Sequence, residues 1–143
     1  MNSIEQFSVN GNENGLYEVL KDAFYQPTMI KVITKINDWI NDGCKVFAYL
    51  EDEELLGAII VRESTSEVII ECIGVNNRRR GSGIGSELVK YIQGICCKQL
   101  FAETDDSAIG FYRKIGFNSN KVVKHYKNGD IVRYECGLMN KMF

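Results

Sequence analysis

Apolar positions along this chain recur with two periods, and the changes of period mark its elements. Ile4 to Val9 reads as a short strand, and the polar, glycine-containing run Asn10 to Gly15 reads as a loop. Leu16, Val19, Leu20 and Ala23 keep helical spacing, which predicts a helix from Leu16 to Phe24. Pro27 stops it, and Thr28 is placed to start the next. Ile30, Ile33, Ile36 and Ile40, with Trp39 beside them, form one stripe of that second helix, read as core packing. Gly43 suits a left-handed cap at its end.

The period then shortens. Val46 to Leu50, Leu55 to Arg62 and Glu67 to Val75 are three strands joined by the polar turns Glu51–Glu54 and Ser64–Ser66, so an antiparallel meander is expected. Helical spacing returns from Gly83 to Cys97, with Ile84, Leu88, Ile92 and Ile95 on one face. Leu100 to Thr104 is the next strand, parallel to the one before if the helix is a right-handed crossover. Asp105 to Phe117 holds a short helix capped by Asp or Ser at its start and Gly116 at its end, with Ala108, Phe111, Tyr112 and Ile115 sharing a face. Lys121–Tyr126 and Ile131–Cys136 flank the hairpin signal Lys127-Asn128-Gly129-Asp130. The fold class is α/β, with antiparallel and parallel strands in one mixed sheet.

At 143 residues the chain reads as one domain, residues 1–143. A domain near this size buries about 70% of its unfolded surface, enough for one sheet with helices on it. A net charge of −2 and a pI near 5.5 argue against a general nucleic-acid binder. Met1 to Glu5 lacks the basic and apolar regions of a signal peptide, and no run approaches membrane-spanning length, so a cytoplasmic protein with no membrane partner is expected. Its five cysteines show no zinc-like spacing and read as reduced thiols. No metal site is expected.

The candidate chemistry sits between the third meander strand and the helix after it, in Val75-Asn76-Asn77-Arg78-Arg79-Arg80-Gly81-Ser82-Gly83-Ile84-Gly85. Alternating glycines allow a tight turn whose N–H groups converge on an anion. The following helix adds unpaired first-turn donors and the positive end of its dipole, and three arginines add charge at the rim. Such a cradle suits a pyrophosphate. It is not a P-loop, which needs Gly-Lys followed by Ser or Thr, and Ser86 stands where a dinucleotide fingerprint has its third glycine.

Arg80-Gly81-Ser82-Gly83-Ile84-Gly85 resembles the Arg/Gln-x-x-Gly-x-Gly/Ala signature of the GNAT acyl-CoA N-acyltransferases. Ala108, Phe111, Tyr112, Gly116 and Phe117 match the family's second signature, Asn-x-x-Ala-x-x-Phe/Leu-Tyr followed by Gly-Phe, with Asp105 where Asn is usual. The resemblance covers Val68 to Phe117 and implies a GNAT-like fold, an antiparallel meander joined to parallel strands with helices on both faces. It implies acetyl-CoA as cosubstrate and a primary amine acceptor, attacking directly through a tetrahedral intermediate. The acceptor is a small molecule or a protein amine, and a homodimer is a state the family allows. Expected coenzyme A contacts are Ile73, Gly74 and Val75 on the strand, Arg80, Gly81, Ser82, Gly83, Ile84, Gly85 and Ser86 in the cradle, and Asp105, Ala108, Phe111 and Tyr112 beyond it.

The reaction sets three needs. The amine must be neutral, although an alkylamine has a pKa of about 10.4. The oxyanion needs donors, and the leaving thiolate needs a proton or hydrogen bond. Tyr112 is the candidate for the leaving sulfur, as the matching tyrosine is in many family members. A backbone N–H near Ile73 or Gly74 is the candidate oxyanion donor, with Gly74 suited to a bulge or close approach. Glu71 interrupts an apolar strand, where burial would raise its pKa, and is the first candidate base. Glu103 is the second, and Glu67, beside a turn, a weaker third. His125, the only histidine, reads as a strand residue. Two other functions compete: a coenzyme A-binding sensor without catalysis, and an RNA-binding module using the arginines, which the acidic pI disfavours.

Overall fold

In the computed structural model, which describes residues 1–139, the strands are β1 (Asn2–Gln6), β2 (Lys45–Glu51), β3 (Glu54–Glu63), β4 (Glu67–Val75), β5 (Gln99–Thr104), β6 (Asn118–Tyr126) and β7 (Gly129–Leu138). The helices are α1 (Glu13–Leu20), α2 (Met29–Asn41), α3 (Ile84–Cys96) and α4 (Ile109–Ile115), with 3₁₀ turns at Lys21–Ala23 and Asn77–Arg79. Residues 140–143 of the expected domain lie outside the described ones. All seven strands form one sheet in the order β1-β2-β3-β4-β5-β7-β6. The meander β2-β3-β4 is antiparallel, and β4 pairs with β5 in parallel.

Two cores cover the two faces. On one, Ile84, Leu88, Val89 and Ile92 of α3 and Ile109 and Tyr112 of α4 pack on Phe47, Ile59, Val68 and Ile70. On the other, Leu16, Val19 and Leu20 of α1 and Val32 and Ile36 of α2 pack on Val46, Ala58, Ile60 and Cys72. Both helical faces follow from the 3.6-residue period, but two expected stripes turn. In α2, Val32 is fully buried while Ile30, about 160° round the helix from it, is 80% exposed. At the end of α3, Cys96 packs on the core while Ile95 is about half exposed.

The helix ends follow local chemistry in part. The Thr28 hydroxyl accepts the Lys31 N–H at 3.1 Å, as its position before α2 predicts. The start of α4 differs from expectation: Ala108 is its cap and no side chain bonds it. Asp105 instead closes its own turn, accepting from the N–H and hydroxyl of Ser107. Strand β1 also starts and stops earlier than Ile4–Val9, because its register against β2, Asn2↔Glu51 to Gln6↔Phe47, and not its weak alternation, sets its ends.

Candidate active site

A fork in the sheet organises the site. The β4–β5 ladder runs only from Glu67↔Gln99 to Ile70↔Ala102. Beyond that point β4 continues to Val75 bonded to β3, and β5 continues to Thr104 bonded to β7. The β4 backbone from Glu71 to Val75 therefore has a strand on one side only. The divergence coincides with a bulge: Ile60 faces Cys72 and Val61 faces Ile70, so Glu71 is the extra residue on β4. A bulge bends its strand and raises its twist, which turns β4 away from β5. The bulge thus falls at Glu71 and not at Gly74. Gly74 answers a close approach, since a Cβ there would meet the Val19 carbonyl oxygen at 2.1 Å.

The cradle closes the wide end of this fork. Gly81 (φ +80°) and Gly83 (φ +88°) both lie in the left-handed region, with open space where side chains would stand. Gly83 is the cap of α3, and no side chain bonds the helix start. The first-turn amides of Ile84, Gly85 and Ser86 have no intrahelical acceptor, so they face outward as free donors beside the positive helix end. The arginines behave differently from a free basic rim. Arg78 bonds Glu54 at 2.6 Å, Arg79 bonds Glu51, and Arg80 bonds Asp22. Nothing local in the sequence announced these partners, which come from β2, β3 and the turn after α1.

Tyr112 lies between the two α3-side elements, 5% exposed, with edge-on rings of Phe111 and Phe117 each 5.2 Å away. Burial pushes its phenol above the ordinary value, and the thiols of Cys72 and Cys136 add to the shift. Those thiols belong to β4 and β7, the strands on either side of β5, which places the phenol near the fork. Among the described hydrogen bonds it has no partner, which is costly for a buried hydroxyl. Ala108 and Phe111 line the same helix at half burial.

The carboxylates divide by their cations. Glu71 accepts from Arg62 Nε at 2.7 Å, and the same guanidinium lies 3.7 Å from Asp42. It is thus an ion-paired carboxylate, not the isolated one its apolar strand suggests. Arg62, at the end of β3, is the residue the sequence did not single out, because its role appears only once the bulge aligns it with Glu71. Glu103 bonds Lys124 at 2.6 Å and Arg133 at 3.1 Å. The Lys124 contact, helped by Arg133, holds its carboxyl below the ordinary carboxylate range. Glu67 sits at the closed end of the fork, opposite Gln99. The Ser107 hydroxyl keeps Asp105 below its ordinary value. His125 pairs with Asp130 at 2.7 Å across the β6–β7 turn, away from the fork.

Burial pushes the Cys72 thiol up to about 12, with Glu71 adding to the shift. A cleft of about 350 Å³ lined by Phe7, Asn12, Leu50 and Leu55 lies near the start of α1, away from the fork. Among the described residues no group of three or more His, Cys, Asp or Glu gathers to hold a metal, and no helix is long and apolar enough to cross a membrane.

Solved structures of low sequence identity share this fold. The ribosomal-protein-S18-alanine N-acetyltransferase of Escherichia coli matches with a TM-score of 0.77 at 15% identity, over 100% of this chain and 96% of that one. The aminoglycoside 6'-N-acetyltransferase of Enterococcus faecium matches with a TM-score of 0.78 at 17% identity, over 99% and 98%. An aminoglycoside 6'-N-acetyltransferase solved with coenzyme A matches with a TM-score of 0.77 at 16% identity, over 99% and 98%. No curated protein sequence matches significantly. The sequence model of the acetyltransferase (GNAT) family matches residues 14–117, which contain the cradle, the fork and Tyr112, and the chain belongs to that family.

Proposed function

We propose that this protein transfers an acetyl group from acetyl-CoA to a primary amine, with the amine attacking the thioester directly. The observation that carries the reading is Tyr112, a buried phenol without a hydrogen-bond partner among the described residues, beside a fork whose open end leads to an uncapped helix start. An orphaned donor and a set of free amides at the two ends of one slot suit a long ligand with an anion at one end and a reacting atom at the other.

The residues fit coenzyme A on their own chemistry. The amides of Gly81 and of Gly83 to Ser86 would hold the pyrophosphate, with Ser82 kept in the turn by its own N–H to the Arg79 carbonyl and Arg80 at the edge, and the space beside Gly81 and Gly83 is free for it. The one-sided β4 backbone at Ile73, Gly74 and Val75 would bond the extended arm, and one of its N–H groups would face the acyl oxygen. Ala108, Phe111 and Asp105 would form the opposite wall. Bound there, coenzyme A supplies an activated acyl thioester.

Tyr112 then acts on the leaving sulfur. Its raised pKa keeps the phenol protonated at neutral pH. A thiol has a pKa of about 8.5, so the thiolate is the weaker base, and Tyr112 serves as a hydrogen-bond donor more than as a net source of protons. The C–N bond forms, the C–S bond breaks, and the proton that ends on sulfur is the one the nitrogen loses. Glu71, at the fork, is the first candidate to accept that proton from the amine. Glu103 is second, because two cations hold it. Cys72 holds its proton too tightly to form an acyl-enzyme, which favours direct attack.

The test is release of free thiol from acetyl-CoA across a library of primary amines, with Tyr112→Phe in parallel. Amine-dependent thiol release, much reduced in the variant, is the expected result. Tight acetyl-CoA binding with no turnover on any amine would reject the enzyme and leave a sensor.

A further inference from the structure

We propose that the Arg80–Asp22 ion pair is a latch between the cradle and the segment joining α1 to α2, opened when coenzyme A takes Arg80; this rests on the reading that the cradle binds coenzyme A. The three arginines are not equivalent. Arg78 and Arg79 bond Glu54 and Glu51, both at the β2–β3 turn, and so pin the loop to the meander. Arg80 alone reaches the other way, to Asp22 in the 3₁₀ turn Lys21–Ala23. It is also the residue that directly precedes the cradle glycines, 58 positions from its partner in sequence.

The contact is built to exchange. The two side chains are 54% and 46% exposed, so the pair is screened and weak. A pyrophosphate on the cradle offers the guanidinium a doubly charged, bidentate acceptor in place of one carboxylate, and bidentate phosphate pairing is the stronger of the two. The same anion repels Asp22. Once displaced, Asp22 is left with the neighbouring Lys21, which already bonds Glu18 at 3.0 Å. The segment from residue 21 to 28 would then keep the Phe24 contact with Trp39, at 6.1 Å between ring centres, but lose its tie to the cradle. Cofactor binding thus loosens this segment, and the free protein holds it to the cradle at some cost in cofactor affinity.

Calorimetric titration with coenzyme A, which needs no turnover, tests the affinity arm. Asp22→Asn should bind coenzyme A about twofold to fivefold more tightly than the unchanged protein, the range set by an exposed ion pair. The gain should shrink in an Arg80→Ala background, where only the direct repulsion between Asp22 and the pyrophosphate is left to relieve. Hydrogen exchange tests the structural arm. Coenzyme A should speed amide exchange across residues 21–28 in the unchanged protein. In Asp22→Asn exchange there should already be fast and should not respond. Unchanged or weaker affinity in Asp22→Asn, a gain just as large in Arg80→Ala, or exchange in the segment that coenzyme A leaves alone would each overturn the latch while the cradle stands. No binding of coenzyme A by the unchanged protein would overturn latch and cradle together.

Discussion

The Phe111 ring occupies the space that a side chain on Gly85 would need: a Cβ there would lie 2.8 Å from Phe111 Cε1. The third glycine of the loop is therefore required by a helix and not by a ligand. It lets α3 begin against α4, and that contact sets Tyr112, the next residue, relative to the cradle. The two segments that carry the family resemblance are one packed unit.

Gly85→Ala should test that unit. Phe111 is a ring with little freedom to yield, so the methyl forces α4 outward, at about 1–3 kcal/mol of stability. Denaturant melting gives the stability loss. Turnover should fall further than coenzyme A affinity, because Tyr112 moves with the helix while the amides of the cradle remain.

Gly83→Val should act on the ligand end. A β-branched residue at φ +88° is strained by roughly 1–3 kcal/mol, and its side chain would enter the open space of the cradle. Coenzyme A affinity measured by calorimetry should drop at least tenfold in a protein that still folds. Undiminished affinity would refute the cradle.

Tyr112→Phe keeps the ring contacts and removes a hydroxyl that has no partner among the described residues, so stability should hold or rise slightly. Coenzyme A affinity should change little, and turnover should fall by about 10²–10⁴. The loss should shrink with an acyl donor whose leaving thiol is more acidic. Turnover within about twofold of the unchanged protein, with chemistry rate-limiting, would remove the role.

Glu71→Gln should lower turnover most on the acid side of the pH–rate profile and leave coenzyme A affinity nearly intact. The same change at Glu103 should have the smaller effect, since its two cations stabilise the ionised form and weaken it as a base. Identical profiles for the unchanged protein and both variants would assign the proton to water.

Glu103 also predicts a pH-dependent stability. Its folded pKa is depressed, so its contribution is whole above the ordinary value of 4.5 and is lost as pH falls through the lower folded value. Glu103→Gln should cost on the order of 0.5–1 kcal/mol at pH 7, discounted because the side chain is 40% exposed. The gap between variant and unchanged protein should close below about pH 4 in melts repeated across pH. A constant gap would mean that packing, not charge, is lost.

The sequence by itself determined the order of strands and helices, the turn glycines of the cradle and the helix cap at Thr28. These depend on residues close in the chain: a 2.0 or 3.6 period, a hydroxyl before a first turn, a glycine where φ is positive. It also marked Tyr112, through a signature confined to one short helix and the turn after it. What the sequence left open was every relationship between distant segments. That Glu71 is the bulged residue follows from pairing with β3, and that it meets Arg62 follows from the bulge. That the cradle arginines are bound to Glu51, Glu54 and Asp22 follows from where the meander and the turn after α1 come to lie. Ile30 and Ile95 share their helical stripes yet point outward, because a stripe is buried only as far as a neighbour covers it. Local spacing fixes which way a side chain leaves the backbone, and only the packed sheet decides what it meets.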